Sequence, residues 1–220
     1  MKSRISIDVV VDIVCPWCYI GRHRLIQALS QVENELSVDV RYLPFELNPD
    51  IPLSGVDQQA YLSSKFGGDD VYRQMLERVT SVARDEDLPF GLGHQAIMPN
   101  TRRMHMLIES AADSSVQNRL LEQFYVAYFV NGTDLTSEEK LVELATNAGM
   151  SKDRAEAVLA DAEAPARIEA SEEKLRRLGI TGVPFYIIQN KYGISGAQHA
   201  EDLAAALRSV AQEQQQSVQS

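Results

Sequence analysis

The sequence predicts an α/β fold in which strand-rich ends enclose a long helical block. Three observations predict it. A run of β-branched apolar residues near the start feeds a helix headed by Cys15-Pro16-Trp17-Cys18. Apolar residues then recur at helical spacing from about Asp57 to about Leu178, and two short apolar runs with an amphipathic helix close the chain.

Taken in order, Ile5 to Val14 has the β-branched composition of a strand buried in a sheet. Pro16 suits the first turn of the helix that follows, because its missing N–H has no intrahelical partner there, and Leu25, Ile26 and Leu29 continue that helix at the right spacing. Val38 to Leu43 alternates with period two and ends at Pro44, which predicts a second strand. In the helical block, Tyr72, Met75, Leu76 and Val79 form one apolar stripe. Leu120, Leu121, Phe124, Tyr125 and Tyr128 form another, and Leu141, Leu144 and Ala145 a third. Breaks fall at Pro89 to Gly93, at Asn131-Gly132, and at Gly149, a helix C-cap. Val183 to Gln189 and Lys191 to Ser195 read as strands around an Asn190-Lys191 turn, and Ala200 to Val210 as a final helix before a frayed, Gln-rich tail.

The Cys-x-x-Cys pair holds the only two cysteines in the chain. With Cys15 at a helix N-terminus, free N–H groups and the positive end of the helix dipole predict a stabilised thiolate with a lowered pKa. Cys18, one turn on, can close a disulfide with it and so resolve a mixed disulfide. Half of a zinc site would show the same spacing, and His23, His94, His105 and His199 could in principle complete it, but none has the His-x₃₋₅-His spacing of a structural site. A purely structural disulfide would close a very small loop, and no secretion leader is read at the N-terminus, so the expected compartment is the reducing cytoplasm.

At 220 residues and 45% hydrophobic, the chain can build a core without disulfide support. Its net charge of −10 argues against nucleic acid and anionic membranes as partners, and no stretch has membrane-spanning length. Oligomeric state is left open, a homodimer included.

The order β-α-β, helical block, β-β-α is that of a thioredoxin-like fold with a large all-helical insertion. Residues 1–56 and 179–212 would form the thioredoxin-like part, 57–178 the insertion and 213–220 a disordered tail. From about Ile5 to Leu207 the sequence resembles the DsbA-like thioredoxin superfamily, most closely its FrnE-like branch of dithiol–disulfide oxidoreductases. The matching segments are Asp12 to Gly21, Pro44 to Pro49, Asn100-Thr101 with His105, Ala127 to Phe129, and Gly179 to Phe185. Related kappa-class glutathione transferases and hydroxychromene-carboxylate isomerases usually carry serine where this chain has Cys15, so thiol redox chemistry is expected.

The resemblance implies a cis Val183–Pro184 bond facing the dithiol, with Val183 offering backbone hydrogen bonds to substrate. The expected roles are Cys15 as nucleophile, Cys18 as resolving thiol, and Pro16 and Trp17 tuning the pair. Asp12 is the first candidate to accept the Cys18 proton and Glu46 the second, since burial raises a carboxyl's pKa toward neutrality. His105 is placed toward the cleft. No metal or organic cofactor is expected beyond the Cys15–Cys18 couple, with glutathione a candidate reductant and a protein or small-molecule disulfide or thiol as substrate. Two other readings are a small-molecule isomerase or glutathione-dependent transferase, which would need an enclosed apolar pocket beside the dithiol, and a non-catalytic zinc or binding module.

Overall fold

The computed structural model describes residues 2–91, 95–111 and 113–219. His94 and part of the break expected at Pro89 to Gly93 lie outside the described residues. β1 (Ser3–Val11) alternates as its sequence requires, with Ile5, Ile7, Val9 and Val11 in the main core. Val10 points to the other face of the sheet, into a smaller cluster with Phe45, Leu175 and Ile180. The strand stops at Val11 and not at the expected Val14, because Ile13 and Val14 turn the chain and the Cys15 N–H donates to the Asp12 carbonyl across 3.3 Å. α1 (Pro16–Val32) follows at once, and β2 (Leu36–Pro44) returns parallel to β1, from Ser3 opposite Leu36 to Val11 opposite Pro44.

The next block is helical with one exception. β3 (Val56–Asp57) and β4 (Ile97–Met98) form a two-stranded antiparallel ribbon inside a segment expected to be all helix. Between them run α2 (Gln58–Phe66) and α3 (Asp69–Asp85). α4 (Arg102–Glu109) and α5 (Ser114–Tyr125) follow, and α5 runs on into a π-helical turn at Val126–Val130. α6 (Glu138–Asn147), α7 (Lys152–Leu159) and α8 (Ala164–Arg177) complete the block, with Gly149 in the left-handed conformation just past the end of α6. α4, α5 and α8 pack on β2, so the insertion leans on the sheet.

β5 (Phe185–Ile188) runs antiparallel to β1 on the side away from β2, and β6 (Tyr192–Ser195) pairs with β5, giving the order β2-β1-β5-β6. Gln189 and Asn190 both have positive φ and occupy the centre of the hairpin, one residue earlier than the turn expected from sequence. α9 (Ala200–Gln219) packs on α1 and continues through the segment expected to be a tail. Glu213 accepts from Tyr192 Oη, and Gln215 Nε2 donates to Ser3 Oγ across 2.7 Å, so strand and chain start both hold the extra turns. No helix among the described residues is long and apolar enough to cross a membrane.

Candidate active site

Two strand ends and one helix start meet at the dithiol. β1 delivers Cys15 to the N-terminus of α1, where it occupies the cap position with extended backbone (φ −89°, ψ 110°) and Pro16 follows in the first turn. β5 pairs Phe185 with Val10, which brings the preceding Val183-Pro184 to the same end of the sheet. The Val183–Pro184 bond is cis, and Cys15 Sγ lies 3.7 Å from the Val183 carbonyl oxygen, to which it can donate.

Both cysteines are free thiols, and both are buried. Cys18 has no exposed surface and Cys15 retains 4%. Cys15 is therefore shielded from bulk water, and it forms part of the wall of a cavity of about 250 Å³ between the start of α1 and helices α2 and α3. Burial, and then hydrogen bonding and charge from Cys15, push the Cys18 thiol pKa well above its ordinary value. Trp17 lies half-buried at the cavity edge with the Arg78 guanidinium 5.7 Å from its ring centroid.

Behind the dithiol lies a chain of buried polar groups. Asp12 is fully buried; its Oδ2 accepts from the Leu47 N–H across 2.8 Å and its carbonyl from Tyr125 Oη across 3.3 Å. His105, on α4, is 1% exposed and puts Nε2 3.4 Å from Asp12 Oδ1. Among the described residues, neither of those two atoms has a hydrogen-bond partner. Glu46 is 2% exposed and pairs through Oε2 with Arg102 (2.8 and 2.9 Å), while its N–H donates to Glu172 Oε1 across 2.6 Å. Burial raises the Glu46 carboxyl pKa, opposed by Arg102.

Of the sequence-predicted residues, Cys15, Pro16, Trp17 and Val183 line the cavity, Pro184 follows Val183 through the cis bond, and Cys18 and Asp12 are enclosed behind it. Glu46 is tied to an arginine and belongs to the outer part of the polar chain. His105 faces Asp12, on a helix where Asn100 Oδ1 accepts from the Arg102 N–H across 3.0 Å. Sequence reasoning missed Tyr125, Arg102 and Glu172, and the cavity walls on α2 and α3. Tyr125 was legible only as part of an apolar stripe, and its hydroxyl is what matters here. Among the described residues, no group of three or more histidine, cysteine, aspartate or glutamate side chains is arranged to hold a metal ion. His23 is instead paired with Gln27 on its own helix, at 2.9 Å.

A family model described as a DSBA-like thioredoxin domain matches residues 6–208. Among solved structures, a protein from Streptomyces coelicolor described as a "probable DsbA oxidoreductase" is 31% identical, covers 92% of this chain and 88% of its own, and superposes with a TM-score of 0.84. A 2-hydroxychromene-2-carboxylate isomerase shares the fold at 15% identity, 96% and 98% coverage and a TM-score of 0.70. So does the cytosolic disulfide reductase DsbM of Pseudomonas aeruginosa, determined with GSH, at 17% identity, 93% and 98% coverage and a TM-score of 0.66. No curated protein gives a significant match.

Proposed function

The chain belongs to the family of DSBA-like thioredoxin domains, and on that premise we propose that it is a dithiol–disulfide oxidoreductase of the FrnE-like branch working in the cytoplasm. One observation carries the reading: Cys15 stands at the N-cap position of α1 in a cavity wall beside the Val183 carbonyl, while Cys18 is wholly enclosed. In the reducing direction the Cys15 thiolate attacks one sulfur of a substrate disulfide. The S–S bond breaks and the other half leaves as a thiolate that takes a proton from solvent. Cys18 then attacks Cys15 Sγ of the mixed disulfide, releasing the bound half and closing the Cys15–Cys18 disulfide. The Cys18 proton passes to the Asp12 carboxylate, since Cys18 has no surface exposed to solvent and Asp12 is buried with it. A small thiol such as glutathione returns the pair to the dithiol, and the same steps in reverse oxidise a dithiol substrate.

The apolar cavity favours a second reading, an isomerase or glutathione-dependent transferase acting on a small molecule, because such chemistry needs an enclosed site. Assaying disulfide reduction with wild type, Cys15→Ser and Cys18→Ser separates the two. The oxidoreductase reading expects Cys15→Ser to lose essentially all turnover and Cys18→Ser to accumulate a mixed disulfide visible by mass. Retained turnover in Cys15→Ser would reject it.

A further inference from the structure

We propose that His105 is the positioning residue for Asp12: its imidazole donates from Nε2 to Asp12 Oδ1 and keeps that carboxylate ionised, ready to take the Cys18 proton when Cys18 resolves a mixed disulfide. This role rests on the oxidoreductase reading above and belongs to its resolving step. Asp12 has no exposed surface, and its Oδ2 is already engaged by the Leu47 N–H. Its Oδ1 and His105 Nε2 face each other across 3.4 Å, and among the described residues neither atom has a hydrogen-bond partner. His105 is 1% exposed, on a helix held at its start, where Asn100 Nδ2 donates to the Ile51 carbonyl across 2.8 Å and Asn100 Oδ1 accepts from the Arg102 N–H.

Burial disfavours the charged form of a carboxyl, so one backbone donor is little support for an anion that must exist before Cys18 can lose its proton to it. A second donor is required, and the His105 ring is placed to supply it. The gap is slightly longer than an ordinary N–H···O bond of up to about 3.2 Å and too small for a water between, so a slight turn of the ring closes it. The same gap decides the tautomer. An unprotonated Nε2 would set its lone pair against a carboxylate oxygen and leave two buried acceptors without a donor. The other titratable or charged groups around the pair are Cys15 and Cys18 on α1, Tyr125 on α5, Tyr128 in the π-helical turn, Glu46 after β2, Arg102 on α4 and Glu172 on α8. Burial first, with the Asp12 charge among the lesser causes, pushes Cys18, Tyr125 and Tyr128 up, so those three stay neutral over the range in which a carboxyl titrates.

The test follows resolution alone. Reduced full-length protein is mixed at a series of pH values with excess dithiobis-nitrobenzoate, each half of which is coloured once it leaves as a thiolate. Attack by Cys15 releases one half, in a phase whose rate grows with reagent concentration. Cys18 then loses its proton to Asp12 and forms the Cys15–Cys18 bond, and the other half leaves in a phase independent of that concentration. The rate of this second phase in the wild type is expected to fall toward acid as Asp12 takes up a proton, and Asp12→Asn should lose both the speed and the midpoint. His105→Asn, whose shorter side chain stops short of Asp12, should move the midpoint up by about one to two pH units, the worth of one hydrogen bond to a charged group, and slow resolution about 10- to 100-fold below it. His105→Gln places an amide N–H near the position of Nε2 and should return most of that shift. His105→Leu replaces His105→Asn should that variant fail to fold, with the same shift expected. A midpoint unmoved in His105→Asn, a loss of rate at every pH alike, an equal shift in His105→Gln, or an acid limb that survives Asp12→Asn would overturn the proposal. Release of only the first half by the wild type, or of neither, would overturn the oxidoreductase reading instead.

Discussion

At the level of single residues, the site depends on what can be buried. Cys18 is enclosed beside Asp12, so its neutral thiol is favoured in the folded protein. A thiol whose folded pKa is raised contributes stability that is complete below the unfolded value of about 8.5 and is lost as pH rises through the folded value. The reduced protein should therefore lose stability to urea between about pH 8.5 and 10, before tyrosines with raised values such as Tyr125 and Tyr186 add to the slope. Cys18→Ala should flatten that window and lessen the slope above it, leaving there only the part due to the tyrosines. An unchanged slope in the variant would place the alkaline loss elsewhere. Gly21, the last residue of the motif segment, has an equally local reason. A Cβ there would stand 2.7 Å from Tyr186 Oη and 3.0 Å from Pro184 Cγ, so only glycine lets the Pro184 strand approach α1 this closely. Its side-chain-free backbone also accepts the Tyr186 hydroxyl at the Gly21 carbonyl across 3.1 Å. The glycine was legible in the sequence; the tyrosine that requires it was not.

At the level of elements, start and stop signals were readable wherever a residue acts on its immediate neighbours. Pro16 opens α1 and Gly149 follows α6, because proline in a first turn and a left-handed glycine after a last one are local matters. The ribbon of β3 and β4 was not readable, since each strand is two residues long and its register depends on a partner far along the chain. Asp57, the last residue of β3, also caps α2: its Oδ1 accepts from the Ala60 N–H across 2.8 Å. α2 supplies Leu62, Lys65 and Phe66 to the cavity, so the cap supports a wall of the site. Asp57→Ala should cost about 1 kcal/mol by urea titration, with Asp57→Asn, which can still accept, costing clearly less. Equal losses in the two variants would mean that the ribbon, and not the cap, is what Asp57 supports.

For the whole molecule, the question is whether the helical insertion and the thioredoxin-like frame form one cooperative unit. The main core runs without a break from Ile5, Ile7 and Val9 on β1 through Tyr19 on α1 to Phe124, Tyr125 and Phe129 in the insertion. Tyr19 stacks on Phe129 with ring centroids 5.8 Å apart, so the helix that carries the dithiol is packed directly into the inserted helices. On the polar side Asp12 meets His105 and Glu46 meets Arg102, each pair joining the frame to α4. These pairings also explain why the polar chain was only partly visible in the sequence. Asp12, Glu46 and His105 were flagged one by one as titratable residues in suggestive segments, whereas their order behind Cys18 exists only once α4 is docked on β2. An insertion bound to its frame by a shared aromatic core and two buried polar contacts should not unfold separately. Far-UV circular dichroism reports mostly the inserted helices, and Trp17 fluorescence reports the junction at the start of α1. The two urea transitions should share one midpoint and one slope. Met75→Lys, on the exposed side of α3, should leave them coincident. A dichroism midpoint below the fluorescence midpoint in the wild type would show that the insertion opens first, and would make the cavity a moving part of the site.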